Sequence, residues 1–251
     1  MAEIERKIAL FIDFENIALG LKDANLQKFD IHKVLERLLE KGKIIIKRAY
    51  CDWENYKAYK RPFHEAAIDM IEIPHRGVGG KNNADIKLAV DTLELCYSKE
   101  HLDTFAIVSG DSDFSPLVSK LRESDKYVIG IGIRSSTAVL LTEICDEFIF
   151  YDDLVSPPRK TRQISKSVEK KKAEAFRLLL SAIQALIREN YEIIWGSMVK
   201  QSMKRKRPSF DEGHHGYNSF HDLLEDAQKN ELIQLEKDKR SGSYIIVGLG
   251  K

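Results

Sequence analysis

The chain has 251 residues, of which 43% are hydrophobic and 31% charged, a composition typical of a folded globular protein with room for two domains. It contains no run of about 18 to 20 apolar residues, so the sequence predicts no membrane-spanning helix. The opening residues, MAEIERKIALFIDF, mix acids with bases and lack a small-residue cleavage site, which argues against a secretory signal.

The spacing of the cysteines and the distribution of charge narrow the class of protein further. Cys51, Cys96 and Cys145 are widely spaced and form no CxxC pair, so we expect reduced thiols, no zinc site and a cytoplasmic location. Residues 1–155 hold 21 Lys and Arg against 27 Asp and Glu, while residues 156–251 hold 19 against 12. An acidic half joined to a basic half favours a carboxylate-rich site beside a module that meets a polyanion.

The first half of the chain alternates predicted strands with predicted helices. The strands are continuous apolar runs, as buried parallel strands tend to be, at 7–14, 43–51, 71–74, 105–110 and 126–133. The helices lie at 31–39, 57–70, 84–99 and 115–124. In the helix at 84–99, Ile86, Ala89, Val90 and Leu93 have helical spacing. This alternation predicts an α/β fold with a doubly wound, mainly parallel sheet.

The second half has a different pattern. Residues 155–169 contain two prolines and scattered bases without apolar periodicity, which predicts a linker between domains at 1–154 and 170–251. Helical patterns follow at 174–190, 196–205 and 218–230, and residues 231–249 resemble two strands around a basic Gly/Ser turn. Three helices and a hairpin predict a winged helix-turn-helix, a fold often used on nucleic acid.

Acidic residues stand where the predicted strands end. Asp13 follows the first strand, Asp111 and Asp113 follow the strand FAIV, and Asp85 opens a helix after the loop GVGGKNN. In open parallel sheets, ligands bind at the carboxyl ends of the strands, so these acids are expected to converge. Each also has a local alternative. Asp85 suits the first turn of any helix, and the pair at 111 and 113 could cap the helix that follows.

A carboxylate cluster without Cys or His suits a hard, oxygen-preferring cation, so we expect Mg²⁺ or Mn²⁺. Such ions polarise phosphate oxygens and lower the pKa of bound water. The pattern therefore predicts metal-assisted chemistry at a phosphate ester.

Three segments carry a family resemblance: IALFIDFENI, the K-x-x-A-D-I-x-L-A-x-D run from Lys81 to Asp91, and FAIVSGDSDFSPLVSKLR. Their order and content resemble the NYN domain, a branch of the PIN-like nucleases, over roughly residues 6–153. The resemblance implies a doubly wound α/β fold whose acids hold divalent metal for hydrolysis of RNA phosphodiester bonds. It assigns Asp13, Asp85, Asp111 and Asp113 as catalytic, metal-binding residues.

The same resemblance assigns substrate-contacting roles to Asn16, Lys81 and Ser109. Asn16 is the asparagine of the family's D-x-x-N element and would position metal or the scissile phosphate. This chain departs from the family pattern in GGKNNAD, where two asparagines follow Lys81, which bears on substrate preference.

The second half resembles the LOTUS domain, also called OST-HTH, through RPSFDEGHHGYNSFHDLLEDAQKNELIQL. That resemblance implies a small winged helix that binds RNA or a protein partner. Independently, Lys204, Arg205, Lys206 and Arg207 form a basic run suited to phosphate contacts. Tyr217 is a candidate for stacking on a base, although an aromatic after glycine is more often a core residue.

Two alternatives remain open from the sequence. The protein could be an RNA-binding scaffold without catalysis, which need not bind Mn²⁺ through the acids. A haloacid-dehalogenase-like phosphatase also begins with Asp after an apolar strand, but Glu15 and Ile17 depart from its D-x-D-x-T/V motif.

Overall fold

The computed structural model describes residues 5–26, 28–73, 83–156, 169–238 and 241–250. The chain divides into two compact units, Met1–Leu38 with Gly42–Ser156, and Leu39–Lys41 with Pro157–Lys251. The break between Ser156 and Pro157 falls inside the segment 155–169 that the sequence predicts as a linker, most of which lies outside the described residues.

The first unit is built on a six-stranded sheet in which every neighbouring pair of strands is parallel. The strands are β1 Arg6–Asp13, β2 Gly42–Cys51, β3 Asp69–Glu72, β4 Thr104–Val108, β5 Tyr127–Gly132 and β6 Glu147–Phe150. Their order is β3-β2-β1-β4-β5-β6, so the chain reverses its direction of winding between β1 and β4. This is the doubly wound α/β architecture that the sequence predicts, and its switch point lies where such sheets bind ligands.

Helices cover both faces of this sheet. They are α1 Phe14–Asp23, α2 Ile31–Lys41, α3 Lys57–Glu65, α4 Asn83–Ser98, α5 Ser115–Glu123, α6 Val139–Ile144 and α7 Tyr151–Val155. Alternate residues of β1 enter different cores: Ile8, Leu10 and Ile12 pack in one cluster, and Ala9 and Phe11 in the other. Burial on both faces explains why this strand reads as an unbroken apolar run.

Several local features differ from the sequence expectation. The elements β6, α6 and α7 follow the last strand predicted in this half and were not predicted. Helix α1 begins directly after β1, in a segment for which no helix is predicted. In α4, the residues that pack into the core include Ala84, Leu88 and Leu95, whereas Ile86 and Val90 are exposed. The helix is predicted correctly, but its most regular apolar set is divided: Ala89 and Leu93 contact the core, and Ile86 and Val90 do not.

The described residues of the second unit form three α-helices and a small antiparallel sheet. The elements are α8 Lys170–Arg188, β7 Ile194–Trp195, α9 Gly196–Lys206, α10 Phe220–Lys229, β8 Ile233–Lys237 and β9 Tyr244–Leu249. The sheet has the order β7-β9-β8, so the predicted hairpin of β8 and β9 gains a short third strand. Within the described part of the chain, none of the helices is long and apolar enough to cross a bilayer.

An aromatic cluster anchors α1 immediately after the end of β1. The ring of Phe14 is fully buried and lies within 6 Å of five other aromatic rings. These rings belong to Phe29, Trp53, Tyr56, Tyr59 and Phe63. The cluster therefore fixes the chain where it turns from strand to helix.

We expect Phe14→Ala to lower the free energy of unfolding by about 3–5 kcal/mol, because it removes a buried ring and leaves a cavity. Leu19→Ala is the matched control on the same helix, since Leu19 is 55% exposed and its loss should cost less than about 0.5 kcal/mol. Denaturant unfolding of both variants measures the difference. Equal losses would contradict an anchoring role for the cluster.

Candidate active site

The neighbouring strands β1 and β4 bring two polar residues together at their carboxyl ends. Ile12 pairs with Val108, so Asp13 and Ser109 follow at adjacent positions. Both side chains are buried, and Ser109 Oγ donates a hydrogen bond of 2.9 Å to Asp13 Oδ2. The other carboxylate oxygen of Asp13 accepts from the backbone N–H of Asn16 at 3.2 Å and so caps α1. The carboxylate is thus held in one orientation.

A chain of hydrogen bonds continues from this pair through the loop after β4. Asn16 Oδ1 accepts from Gly110 N at 2.9 Å, and Ser109 Oγ accepts from Asp111 N at 3.2 Å. Asp111 Oδ1 in turn accepts from Asp113 N at 2.9 Å and caps the short 3-10 turn Ser112–Phe114. These bonds tie α1 and the loop that carries Asp111 and Asp113 into one rigid arrangement.

The four predicted acids lie within electrostatic reach of one another. Burial first, then repulsion from Asp85 and Asp111, raise the pKa of Asp13 to about 7. Burial, followed by repulsion from Asp111, Asp113 and Glu15, raises the pKa of Asp85 to about 6. The charged groups with the largest effects on both pKa values are carboxylates, so the site carries an excess of negative charge.

No preformed metal-binding group is present among the described residues: three or more Asp, Glu, His or Cys side chains do not converge closely enough to hold one ion. The acids therefore share one edge of the sheet without forming a closed ligand cage. The capping role that the sequence leaves open at the following helix is not found, since α5 has no side-chain cap; Asp111 instead caps the 3-10 turn Ser112–Phe114.

Some features of the site were not predicted from sequence. Glu15 joins the acids because it lies in the first turn of α1. A loop after β5 packs against Gly110: Ala138 N donates to Gly110 O at 2.9 Å, and a Cβ on Gly110 would lie 2.7 Å from Ser136 O. Only glycine fits this close approach.

Lys81, predicted to contact substrate, lies outside the described residues.

Only some of the residues predicted to contact nucleic acid in the second unit are exposed. Tyr217 is 6% exposed, its hydroxyl donates to Asp226 at 2.8 Å and its ring packs on Phe176, so it is a core residue whose face is unavailable to a base. This outcome follows the alternative that the sequence already favoured for an aromatic after glycine.

In the basic run, Lys204 and Arg207 are exposed, whereas Arg205 and Lys206 are half-buried and Lys206 Nζ donates to Ser181 at 3.0 Å. Arg207 pairs with Glu174 at 2.6 Å. It also lines a shallow cavity of about 470 Å³ with Lys170, Arg177 and Leu178 of α8. The exposed basic surface therefore includes α8 residues that lie outside the run.

We expect Asp13→Asn to stabilise the EDTA-treated protein at about pH 8. The folded-state pKa of Asp13 is about 7, above the ordinary 3.8, so its ionised form destabilises the fold. This cost is absent below about pH 4, grows as the pH rises to about 7 and then stays constant. Asparagine removes the charge and retains acceptor and donor atoms for the bonds to Asn16 N and Ser109 Oγ.

Thermal unfolding between about pH 4 and pH 8 measures this effect. The melting temperature of Asp13→Asn should exceed that of the wild type by several degrees at the upper end and converge with it at the lower end. Asp125→Asn is the control, since Asp125 is exposed and its φ of 56° suits asparagine. A pH-independent difference would contradict the raised pKa.

Comparison with known proteins covers the first unit. The family model of the NYN domain matches residues 7–152. An uncharacterized protein of Methanocaldococcus jannaschii is 35% identical over 145 residues, which make up 58% of this chain and 55% of that protein. The chain thus spans about half the length of this curated relative.

Among solved structures, a protein of unknown function from Vibrio parahaemolyticus has a similar fold, with a TM-score of 0.54 and 21% identity. The similarity covers 61% of this chain and 98% of that one. The family match covers more than half of the chain and includes all four acids, and it ends before residues 157–251. The chain therefore belongs to the NYN domain family, a branch of the PIN-like nucleases.

Proposed function

We propose that the first unit is a divalent-metal-dependent ribonuclease that hydrolyses phosphodiester bonds of RNA. The observation that carries this proposal is the approach of Asp13, Asp85 and Asp111 at one edge of the sheet. Burial first, and then repulsion among these acids, raises the pKa values of Asp13 and Asp85, and Asp113 adds to the repulsion of Asp85. A structural role alone would not require the buried Asp13 to lie beside the half-buried Asp85 and Asp111, because their repulsion costs stability. Family membership supports hydrolysis of nucleic acid, and it favours a nuclease over the phosphatase alternative.

The acids fit Mg²⁺ or Mn²⁺ by their chemistry, since all of them are oxygen donors with excess negative charge. Mg²⁺ usually keeps several waters and binds through one or two carboxylates together with substrate phosphates. A protein cage of three ligands is therefore not needed before RNA binds. When bound, the ion acts as a Lewis acid that polarises a phosphate oxygen, and it lowers the pKa of a bound water.

The chain's own side chains orient the reacting groups. Ser109 fixes the Asp13 carboxylate by donating to Oδ2. Asn16 must direct its amide oxygen toward the Gly110 N–H, so its Nδ2 group is left to donate a hydrogen bond to a phosphate oxygen. Asn16 thus combines the predicted substrate contact with the positioning of the loop that carries Asp111.

We further propose that residues 170–251 form a winged-helix domain of the LOTUS type, separate from the nuclease domain at 1–154. Three helices and a three-stranded antiparallel sheet support this assignment. The exposed cations Lys204 and Arg207, together with Lys170 and Arg177 of α8, favour RNA as its ligand. A protein partner is the alternative ligand of such a domain.

The nuclease proposal predicts that Asp111→Asn lowers turnover of RNA by about two orders of magnitude or more, because it removes a ligand charge from a cation site. RNA binding should survive or tighten, since repulsion of phosphate is relieved. Cleavage of an RNA and DNA panel by purified protein, with Mg²⁺, Mn²⁺ or EDTA, measures the first effect, and binding without metal measures the second.

Asp125→Asn is again the matched control, because the same chemical change there lies in the turn before β5 rather than at the carboxyl ends of the strands. It should cleave like the wild type. Metal-dependent cleavage that is unchanged in Asp111→Asn would place the activity elsewhere or in a contaminant. No cleavage by the wild type with either metal would favour the non-catalytic RNA-binding scaffold.

The RNA-binding proposal predicts a different defect for Arg177→Ala combined with Arg207→Ala. Loss of two phosphate contacts should raise the Michaelis constant roughly tenfold and reduce the salt dependence of binding, with turnover mostly kept. Lys229→Ala is the control, because it removes an exposed positive charge from the C-terminal turn of α10. Equal effects of the double variant and the control would exclude a specific role for the α8 surface.

A further inference from the structure

Helix α4 is apolar on two opposite faces. One face packs against the sheet through residues that include Ala84, Leu88 and Leu95. On the opposite face, Ile86 is 60% exposed, Val90 55% and Tyr97 66%. Leu93 lies between them, is half-buried and also contacts the edge of the core. At about 100° per residue, these four side chains fall within about 60° of one another around the helix.

We refer to Ile86, Val90, Leu93 and Tyr97 as the α4 stripe. A helix with one packed face normally carries polar residues on its outer face, and apolar character on both sides is typical of a helix that is covered on both. The steps of four, three and four residues are also the spacing of the seam in a two-helix coiled coil. The stripe is therefore shaped to receive another helix.

We propose that the α4 stripe is a homodimer interface in which two copies of α4 pack antiparallel. A two-fold axis between residues 91 and 92 sets Ile86 opposite the partner's Tyr97 and Val90 opposite the partner's Leu93. Each large side chain then contacts a smaller one, and the same four residues of both copies form the interface. Such an isologous contact is the commonest kind in soluble homo-oligomers.

The charges beside the stripe select this direction. Lys87 and Glu94 are both exposed, are seven residues apart and flank the same edge of the stripe. In an antiparallel pair, this edge meets its own copy, so Lys87 faces the partner's Glu94 and the reverse pair forms by symmetry. In a parallel pair, the edge would meet the small residues Ala89 and Cys96, which offer no countercharge.

Lys87 is also prepared for this contact. Its Nζ lies 2.7 Å from Asp91 Oδ1, which restrains the flexible side chain along the helix. Asp91 itself is buried and accepts from Tyr50 at 2.9 Å. Less side-chain entropy is therefore lost when Lys87 meets an acid of a second copy.

The mass of the full-length protein in solution tests the proposal, by light scattering or sedimentation from about 1 to 100 μM. The wild type should shift from monomer to dimer within this range. Val90→Asp should remain monomeric, because it sets a charge in the centre of the seam. Glu94→Lys should weaken dimerisation at least about tenfold, because it sets two pairs of lysines against each other. Val139→Asp is the control, since Val139 is 69% exposed on α6, and it should dimerise like the wild type.

Cysteine cross-linking tests the direction. With a short bis-maleimide, Val90→Cys should cross-link to its own copy near the two-fold axis, whereas Tyr97→Cys should not. Mixing Ile86→Cys with Tyr97→Cys should restore the product, and the wild type controls for the native cysteines. Self-linking of Tyr97→Cys would indicate a parallel pair and overturn the proposal.

A wild type that stays monomeric throughout would also overturn it. Loss of RNA binding by Val90→Asp without any change of mass would instead make the stripe an RNA surface. Unchanged melting temperatures of the variants under monomeric conditions exclude misfolding, and none of these readouts depends on nuclease activity.

Discussion

The site depends on one buried carboxylate at the end of the central strand. Asp13 is removed from water by the two cores that cover β1, and burial is the largest cause of its raised pKa. Two hydrogen bonds, from Ser109 Oγ and Asn16 N, offset part of this cost. The same two bonds join β1, α1 and the loop after β4. The hydrogen bonds that the buried carboxylate of Asp13 requires are therefore the same bonds that bring the parts of the site together.

Repulsion among the acids adds a cost that these hydrogen bonds do not remove. Asp85 approaches from α4 and Asp111 from the loop after β4, and both disfavour the ionised form of Asp13. A fold selected only for stability would separate these groups or place a cation between them. Their persistence at one edge of the sheet is the pattern expected where stability is reduced for the sake of binding a positive charge.

Much of this arrangement could be predicted from sequence because it depends on strands. Continuous apolar runs reveal β1 and β4, and parallel pairing brings Asp13 and Ser109 together although they are distant in sequence. Side-chain partners across loops were harder to predict. Nothing in the spacing of Asn16 indicates that it accepts from Gly110, and the approach of Ser136 to that glycine depends on the packing of a third loop.

The faces of helices were also not determined by the sequence pattern. The most regular apolar set of α4 is divided between core and solvent. Ala89 and Leu93 contact the core, whereas Ile86 and Val90 are exposed. Periodicity reports that a face is apolar and does not report what covers it. Tyr217 in the second unit is a further example, because the sequence shows an aromatic residue and does not show what covers it. Its ring packs in the core, whereas cations of the same unit are exposed.

The two faces of α4 connect the site to the surface. Asp85 lies in the first turn of this helix, next to Ile86, the first residue of the stripe. An α-helix is stiff along its hydrogen-bonded axis, so a group that packs on the stripe also restrains the turn that carries Asp85. Because Asp85 is the largest electrostatic contributor to the pKa of Asp13, a small displacement of this turn changes the charge balance of the whole cluster. If the proposed dimer forms and the acids hold a cation as proposed, association through α4 would therefore change the cation affinity of the site.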